Sequence, residues 1–159
     1  MADQRSSGPN PDLSKPGDGD DRLAPEQSGN ALVEHDWSAG VNLEDGQTVR
    51  AAISNAMVGL KKQFYGKGPT KAKTYLNDNY VFCVLEGGLT RNELTLLEAG
   101  EAELVRTFRL RFQAAMTKPT TEAVEQLTGR KVLSYHSQIV FDPERAFEIF
   151  VLDEPPSER

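Results

Sequence analysis

The chain has 159 residues, and its 24 acidic and 18 basic side chains give a formal net charge of −6. This length is typical of one domain, and no run approaches the roughly 20 apolar residues that a membrane-spanning helix needs. The start lacks a basic stretch followed by an apolar run, which argues against export, and a single cysteine permits no internal disulfide. We therefore predict a cytoplasmic protein in a reducing compartment.

The acidity is concentrated in the first 45 residues. Ten acidic and three basic side chains give this segment a net charge of −7, and subtracting it from the total of −6 leaves +1 for residues 46–159. Its few apolar residues show no sustained period, so it cannot bury enough apolar surface to offset the entropy of ordering it. We predict a disordered acidic tail over residues 1–45, an α+β domain over 46–154 and a flexible tail over 155–159.

The first part of the domain is predicted to be a helix followed by a hairpin. Apolar residues recur every three or four positions over 47–65, which indicates an amphipathic helix. Gly66 is its predicted end, because glycine tolerates a left-handed cap, and Pro69 prevents a restart nearby. Two strand-like runs, 70–76 and 80–86, flank an Asn-Asp-Asn turn and predict a hairpin.

Helical sequence follows. Thr90 and Glu93 have the spacing of a capping box at the start of a short helix that ends at Gly100. The longer helix after it carries one apolar side, which we expect to be buried against the sheet: Leu104, Val105, Phe108, Phe112 and Ala115. Pro119 either kinks this helix or opens a further one, which ends at Gly129.

The last part of the domain returns to strand-like sequence. Residues 131–141 and 146–152 flank Asp-Pro-Glu-Arg, a favourable turn, and predict a second hairpin. The whole predicts an α+β fold in the order helix, hairpin, helices, hairpin, with a four-stranded, mainly antiparallel sheet packed by helices on one face. The strands are apolar on both faces, so we expect the second face to be covered too, and a homodimer is one explanation.

The stretch GKGPTKAK, residues 66–73, has the composition of a phosphate-binding loop. A P-loop needs a strand before its glycines and a helix after them, and here that order is reversed. The stretch lies in a run from Arg50 to Lys73 with six basic residues and no acidic one. This patch could bind an anion, a nucleic acid or the acidic tail, although a capped helix with a solvated basic face is the simpler interpretation.

Candidate residues for binding a ligand or partner lie near the two glycine turns. An anion site at this place requires that both turns converge in the fold. The residues proposed for it are Lys67, Lys71, Lys73 and Arg130.

Patterns for catalysis are missing from the sequence. The two histidines are isolated, no Gly-x-Ser-x-Gly elbow is present, and one cysteine adds no metal-ligand spacing. We expect His136 to be a partly buried strand residue and Cys83 to be a core residue. Arg106 and Arg109 share one side of the long helix, where pairing with Glu101, Glu103 or the tail of a partner is the simplest interpretation. We predict no enzyme activity, no cofactor and no metal site.

Three stretches together resemble one known family. They are ISNAMVGLKKQFYGKGPTKAKTYLNDNYVFCVLEGGLTRNE, FRLRFQAAM and VEQLTGRKVLSYHSQIVFDPERAFEIFVLDE. With them, residues 46–154 resemble the MpsC family, named after a component of a sodium-translocating, membrane-potential-generating system. The resemblance implies a component whose membrane-embedded partners carry out ion translocation, and it brings no catalytic residues with it. Pro119 departs from the uninterrupted helix expected in relatives.

Three functional hypotheses follow. The first is a non-catalytic cytoplasmic accessory or regulatory protein, dimeric, that binds a protein partner, with a membrane-potential-generating or bicarbonate or cation transport complex as the candidate. Such a protein would lie at the membrane surface, held there by its partner. The second is a soluble anion or nucleotide sensor that uses the basic glycine-rich turn. The third, nucleic-acid binding, is weaker because the folded part is almost neutral and no aromatic residues are interleaved with the lysines.

Overall fold

The elements follow the predicted order in a computed structural model, which describes residues 48–156. They are α1 (Val49–Tyr65), β1 (Lys71–Asn77), β2 (Tyr80–Glu86), α2 (Arg91–Glu98), α3 (Ala102–Ala115), α4 (Thr117–Thr128), β3 (Val132–Phe141) and β4 (Glu144–Leu152). The predicted α+β fold is confirmed. The predicted tail over 1–45 and the last three residues of the tail over 155–159 lie outside the described residues.

Both connections from a helix to a strand are short and begin at a glycine in the left-handed region. Thr48 caps the start of α1 by accepting a hydrogen bond from Ala51 N at 3.2 Å. Gly66 ends α1 with φ of 74°, and Gly129 ends α4 with φ of 67°. The N–H of each donates to a carbonyl of the last helical turn, so both predicted helix ends are confirmed.

The middle helices are separated by their end signals. Thr90 Oγ1 accepts from Glu93 N, and Glu93 Oε2 accepts from Thr90 N at 2.7 Å, which is the predicted capping box. α3 ends at Ala115, and α4 begins at Thr117 with Pro119 in its first turn. Proline is tolerated there because an N–H in the first turn has no partner within the helix. Pro119 therefore lies in the first turn of a new helix rather than kinking the long one.

The four strands form one antiparallel sheet in the order β1-β2-β4-β3. Asp78 takes a positive φ of 55° in the first hairpin turn. The second turn contains only Asp142 and Pro143, because Phe141 already pairs with Glu144. β4 therefore begins two residues earlier than the sequence predicted.

One face of the sheet, the inner face, carries the core. α1 and α4 pack there against alternate residues of β2 and β4, and each fully buried Leu, Ile or Phe side chain stabilises the fold by about 1.5–3 kcal/mol. The main cluster of buried residues is Ala52, Ile53, Ala56, Met57, Leu60, Val81, Cys83, Leu85, Ala123, Val124, Leu127, Phe150 and Leu152. A smaller cluster of Leu89, Val105 and Ile139 lies under α2 and α3.

α3 is rotated about its axis relative to the predicted orientation, although Val105 is buried as expected. Val105, Arg109 and Gln113 are buried, whereas Leu104 is 53% and Phe108 is 49% exposed. The expectation that Leu104 and Phe108 face the core was wrong. The polar stripe faces inward, where Arg109 binds the buried carboxylate of Glu93 and Gln113 donates to the buried carboxylate of Glu148.

Candidate functional site

The outer face of the sheet, opposite the helices, is apolar along its two central strands. Cross-strand pairing places Phe82 between Tyr75 on β1 and Ile149 on β4, and Ile149 next to His136 on β3. All four helices pack on the inner face. The apolar side chains that point outward from β2 and β4 are Tyr80, Phe82, Val84, Phe147, Ile149 and Val151.

Aromatic side chains on this face are exposed to solvent. Tyr75 is 47%, Tyr80 42% and Phe82 37% exposed, and the rings of Tyr80 and Phe82 stack with centroids 6.2 Å apart. A face four strands wide and seven residues long covers on the order of 400 Å² at ordinary strand spacing and rise. Exposed apolar surface bounded by polar residues often marks an interaction site. No described residue covers it.

The edge of the outer face is basic. Lys73 Nζ lies 5.1 Å from the centroid of the Tyr75 ring, a cation–π contact. Glu86 is shared between Lys71 Nζ at 3.8 Å and Arg145 Nε at 3.4 Å. These three cations and one carboxylate give the described part of the face a net charge of +2, beside an apolar centre.

A buried charge pair supports the sheet from the inner side. Glu148 of β4 is 0% exposed, and its Oε1 lies 2.6 Å from Nζ of Lys61 on α1. The Tyr135 hydroxyl donates to Glu148 Oε2 at 2.5 Å, and Gln113 Nε2 donates to Oε1 at 3.3 Å. Burial raises the pKa of Tyr135 strongly, and the adjacent carboxylate raises it further. This network joins α1, α3, β3 and β4.

A second buried pair joins α2 to α3. Arg109 binds Glu93 with two parallel bonds, Nε to Oε1 at 2.5 Å and Nη2 to Oε2 at 2.6 Å. Burial alone would raise the pKa of Glu93, but the hydrogen bonds from Arg109 and from Thr90 outweigh it and lower the pKa. The Arg109 guanidinium lies 4.2 Å from the centroid of the Tyr65 ring. Burial raises the pKa of the Tyr65 hydroxyl to about 12.

The loop between β2 and α2 is held by three polar side chains, each from a different element or loop. Glu144 Oε1 accepts from the backbone N–H groups of Gly88 and Leu89 at 2.7 and 2.9 Å. Arg109 donates to the carbonyl of Gly88, and Lys67 Nζ donates to the carbonyl of Leu89, both at 2.8 Å. These contacts fix the start of α2 relative to the sheet.

The cavity beside Lys61 and Arg109 is too small for a substrate. Lys61, Arg109 and Glu144 line a cavity of only about 20 Å³, which has room for about one water molecule. Because Glu148 has no exposed surface, its pairing with Lys61 serves packing rather than acid–base chemistry on a bound molecule.

A larger and open depression, here called the aromatic groove, lies between α1, α2 and α3. Its volume is about 630 Å³, within the usual range for binding sites. The centroid of the Phe112 ring lies 4.6 Å from that of Tyr65 and 5.6 Å from that of Phe108, and these three rings form one wall. Lys67 and Arg91 stand at its rim.

The structure does not bring the four predicted binding residues together. Lys71 pairs with Glu86 at the start of β1, and Lys67 is nearby at the aromatic groove. Arg130 lies at the other end of the sheet, where its guanidinium contacts Glu154 Oε2 at 2.6 Å and the carbonyl of Pro155. The convergence of the two glycine turns, which the anion-site hypothesis required, is therefore absent.

The remaining predicted residues have ordinary structural positions. Lys73 points outward from β1 onto the outer face. His136 lies on β3 as predicted, on the same face as Ser134 and Gln138, but it is exposed rather than partly buried. Cys83 is 1% exposed, which confirms its core position, and burial raises its thiol pKa to about 11. Within residues 48–156, no three His, Cys, Asp or Glu side chains are placed to hold a metal ion.

The sequence interpretation missed the buried pair of Lys61 and Glu148. Lys61 was assigned to a solvated basic face, but it is 4% exposed. A signal was present: Lys61 follows Ile53 and Met57 at helical spacing, on the apolar stripe of α1. Glu148 likewise lies in phase with the inward residues of β4. On α3, Arg106 contacts Glu103 as predicted, whereas Arg109 contacts Glu93.

Comparison with known proteins identifies relatives of the described domain. The sequence model of a family described as "Na+-translocating membrane potential-generating system (MpsC)" matches residues 46–154. The chain is also 31% identical over 96 residues to "Uncharacterized protein YrhF" of Bacillus subtilis (strain 168), covering 59% of this chain and 79% of that protein. No solved structure matches the chain.

Proposed function

Because the chain belongs to the MpsC family, described as a Na+-translocating membrane-potential-generating system, we propose that it is a non-catalytic accessory component that binds a protein partner. The observation that carries the proposal is the uncovered outer face of the sheet. None of the helices in residues 48–156 is long and apolar enough to cross a bilayer. The proposed place in a membrane system rests on binding of the described domain to another subunit.

The chemistry of the outer face fits a protein partner. Exposed aromatic side chains in the centre of a surface are the residues that contribute most to protein–protein affinity, and a polar rim excludes water from them. Tyr75, Tyr80 and Phe82 supply such a centre, with Lys71 and Lys73 at the rim. Their positive charge favours an acidic partner surface.

A second copy of the chain is the alternative occupant of this face. Two such faces would pack as a sheet sandwich about 10 Å thick, with the apolar residues of β2 and β4 at its centre. The predicted homodimer and the predicted membrane subunit would then use the same surface, so one set of variants tests both.

The experiment compares Phe82→Glu with a matched control, Leu104→Glu. Phe82 lies on the outer face, whereas Leu104 is an exposed apolar residue on α3. Each tagged protein is recovered from detergent-solubilised membranes of its native host, bound proteins are identified by mass spectrometry, and its own mass is measured by light scattering. We expect the affinity of Phe82→Glu for the partner to fall at least tenfold, because a central contact contributes about 2 kcal/mol or more to binding. Leu104→Glu should bind the partner as the wild type does.

Each outcome decides between occupants. Loss of a membrane protein by Phe82→Glu alone supports the accessory role. A wild-type dimer that Phe82→Glu converts to a monomer, with no membrane protein recovered, identifies a second copy as the occupant. Equal recovery of the partner by both variants would refute the outer face as the binding surface. A monomer that recovers no partner would refute the proposed function.

A further inference from the structure

The aromatic groove is a second apolar surface, and it is separate from the outer face. α3 buries its polar stripe and leaves Phe108 49% exposed beside Phe112 and Tyr65. The groove encloses about 630 Å³, and pockets of about 300–1,000 Å³ usually hold small molecules. A wall of three rings favours a ligand that itself contains an aromatic ring, because rings pack edge-to-face or offset against one another.

The charge of the groove is positive. The charged side chains that line it are Lys67, Arg91 and Glu93. Glu93 is already paired with Arg109, whose Nη2 donates to Oε2 at 2.6 Å. Lys67 Nζ donates to the neutral carbonyl of Leu89 at 2.8 Å, and no carboxylate of the described residues contacts Lys67 or Arg91. The rim therefore carries two cations whose charge the described part of the domain does not balance.

We propose that the aromatic groove binds a small aromatic carboxylate. The ring of this ligand packs against Phe108 and Phe112, and its carboxylate lies at the rim beside Arg91 and Lys67. A guanidinium binds a carboxylate through two parallel hydrogen bonds, a geometry that the buried pair between α2 and α3 already shows. A single negative charge fits better than a phosphate dianion, because Lys67 has committed one donor to a carbonyl and the main contact is left to Arg91.

Contacts within the domain hold this site in place without a ligand. Arg91 is the first residue of α2, and the capping box of Thr90 and Glu93 fixes the start of that helix. The hydrogen bond from Lys67 to the carbonyl of Leu89 joins the end of α1 to the same loop. A preformed site loses less conformational entropy on binding, so a ligand with few contacts can still bind measurably.

Calorimetric titration of the full-length protein with 2-naphthoate measures this binding. Its amide, 2-naphthamide, has the same rings without the charge, and acetate has the charge without the rings. We expect saturable binding of 2-naphthoate and an affinity for 2-naphthamide lower by about tenfold, because the charge-assisted hydrogen bonds are lost. Acetate should give no saturable heat. The dianion 2-naphthyl phosphate should bind no more tightly than 2-naphthoate.

Two pairs of variants locate the site. Phe108→Ala and Arg91→Gln alter the groove, whereas Leu110→Ala and Arg111→Gln alter exposed residues of α3 that do not line it. We expect each variant of the first pair to weaken 2-naphthoate binding by about fivefold and the second pair to leave it unchanged. Arg91→Gln should not change the affinity for the neutral 2-naphthamide, which separates loss of the charge contact from damage to the groove. Circular dichroism confirms that each variant is folded.

Several results would overturn the proposal. Absence of saturable heat with 2-naphthoate, or equal affinities for 2-naphthoate and 2-naphthamide, would refute recognition of an aromatic carboxylate. Much tighter binding of 2-naphthyl phosphate would identify a phosphate site instead. A dimer or a complex with another protein that only Phe108→Ala dissociates would assign the groove to a macromolecule. Loss of 2-naphthoate binding in Phe82→Glu but not in Phe108→Ala would place the ligand on the outer face, so this test stands apart from that of the proposed function.

Discussion

Replacing Lys61 by Met tests whether the buried pair with Glu148 holds the helices to the sheet. Methionine fills a similar volume, but it leaves a carboxylate with 0% exposure and only the neutral donors Tyr135 and Gln113. Removing one partner of a buried pair costs about 3–5 kcal/mol, a large part of the roughly 5–15 kcal/mol typical of a domain. With a slope of about 2 kcal/mol per M, the urea midpoint should fall by about 2 M.

The neighbouring residue supplies the control. Lys62 is exposed, and Lys62→Met should change the free energy of unfolding by no more than about 0.5 kcal/mol. Adding Glu148→Gln to Lys61→Met should restore part of the lost stability, because the unpaired charge is removed, and the two substitutions should couple by about 1–3 kcal/mol. A loss of less than about 1 kcal/mol for Lys61→Met would show that Glu148 is solvated and that the described pairing is incorrect.

Three further predictions concern other parts of the domain. Hydrogen bonds from Arg109 lower the pKa of Glu93, so the stability they add is complete above the ordinary pKa of 4.5 and is lost as pH falls through the lowered pKa. In a plot of urea midpoint against pH, Glu93→Gln should therefore reduce the fall of the midpoint at acid pH. Gly87→Ala should lower the melting temperature more than Gly100→Ala. Both glycines have positive φ, but a Cβ at Gly87 would lie 2.3 Å from Thr70 Oγ1, whereas a Cβ at Gly100 would meet no atom within 4 Å. Cys83, buried and with its pKa raised to about 11, should react with Ellman's reagent at pH 8 only after unfolding; rapid reaction of the native protein would contradict its core position.

Much of the fold could be predicted because its signals are local. The glycines at 66 and 129 allow left-handed caps, and the spacing of Thr90 and Glu93 specifies a helix start within four residues. Strand-like runs on either side of a short turn sequence predicted both hairpins. None of these features depends on residues far away in the chain, so the sequence alone was enough.

The orientation of α3 depends on distant partners. By apolar spacing, Leu104 and Phe108 belong to the core, but Arg109 has Glu93 as its partner and Gln113 has Glu148, 35 residues further along. Periodicity counts apolar residues and gives no weight to a polar residue whose partner is elsewhere. The aromatic groove, which results from this orientation, could not be predicted for the same reason.

The candidate site was predictable only in part. The apolar character of both strand faces indicated a surface that needs a cover, and such a surface is present on the described sheet. The positions of the two glycine turns could not be predicted from the sequence, because they follow helices that lead to opposite ends of the sheet. Lys67 and Arg130 are therefore separated by the length of the strands.

The strand order has a consequence for how the chain folds. β2 lies in the middle of the sheet, yet its partner β4 is the last strand, about 65 residues later, and β4 also carries Glu148. During synthesis, the first hairpin and α1 therefore cannot complete their packing until residues up to 152 have been made. At about 5–20 residues per second this delay lasts several seconds, and Lys61 has no partner during that time. Contacts of such long sequence separation slow folding. A chain that stops before β4 would lack the central pairing of its sheet, and we expect it to be bound by chaperones or degraded.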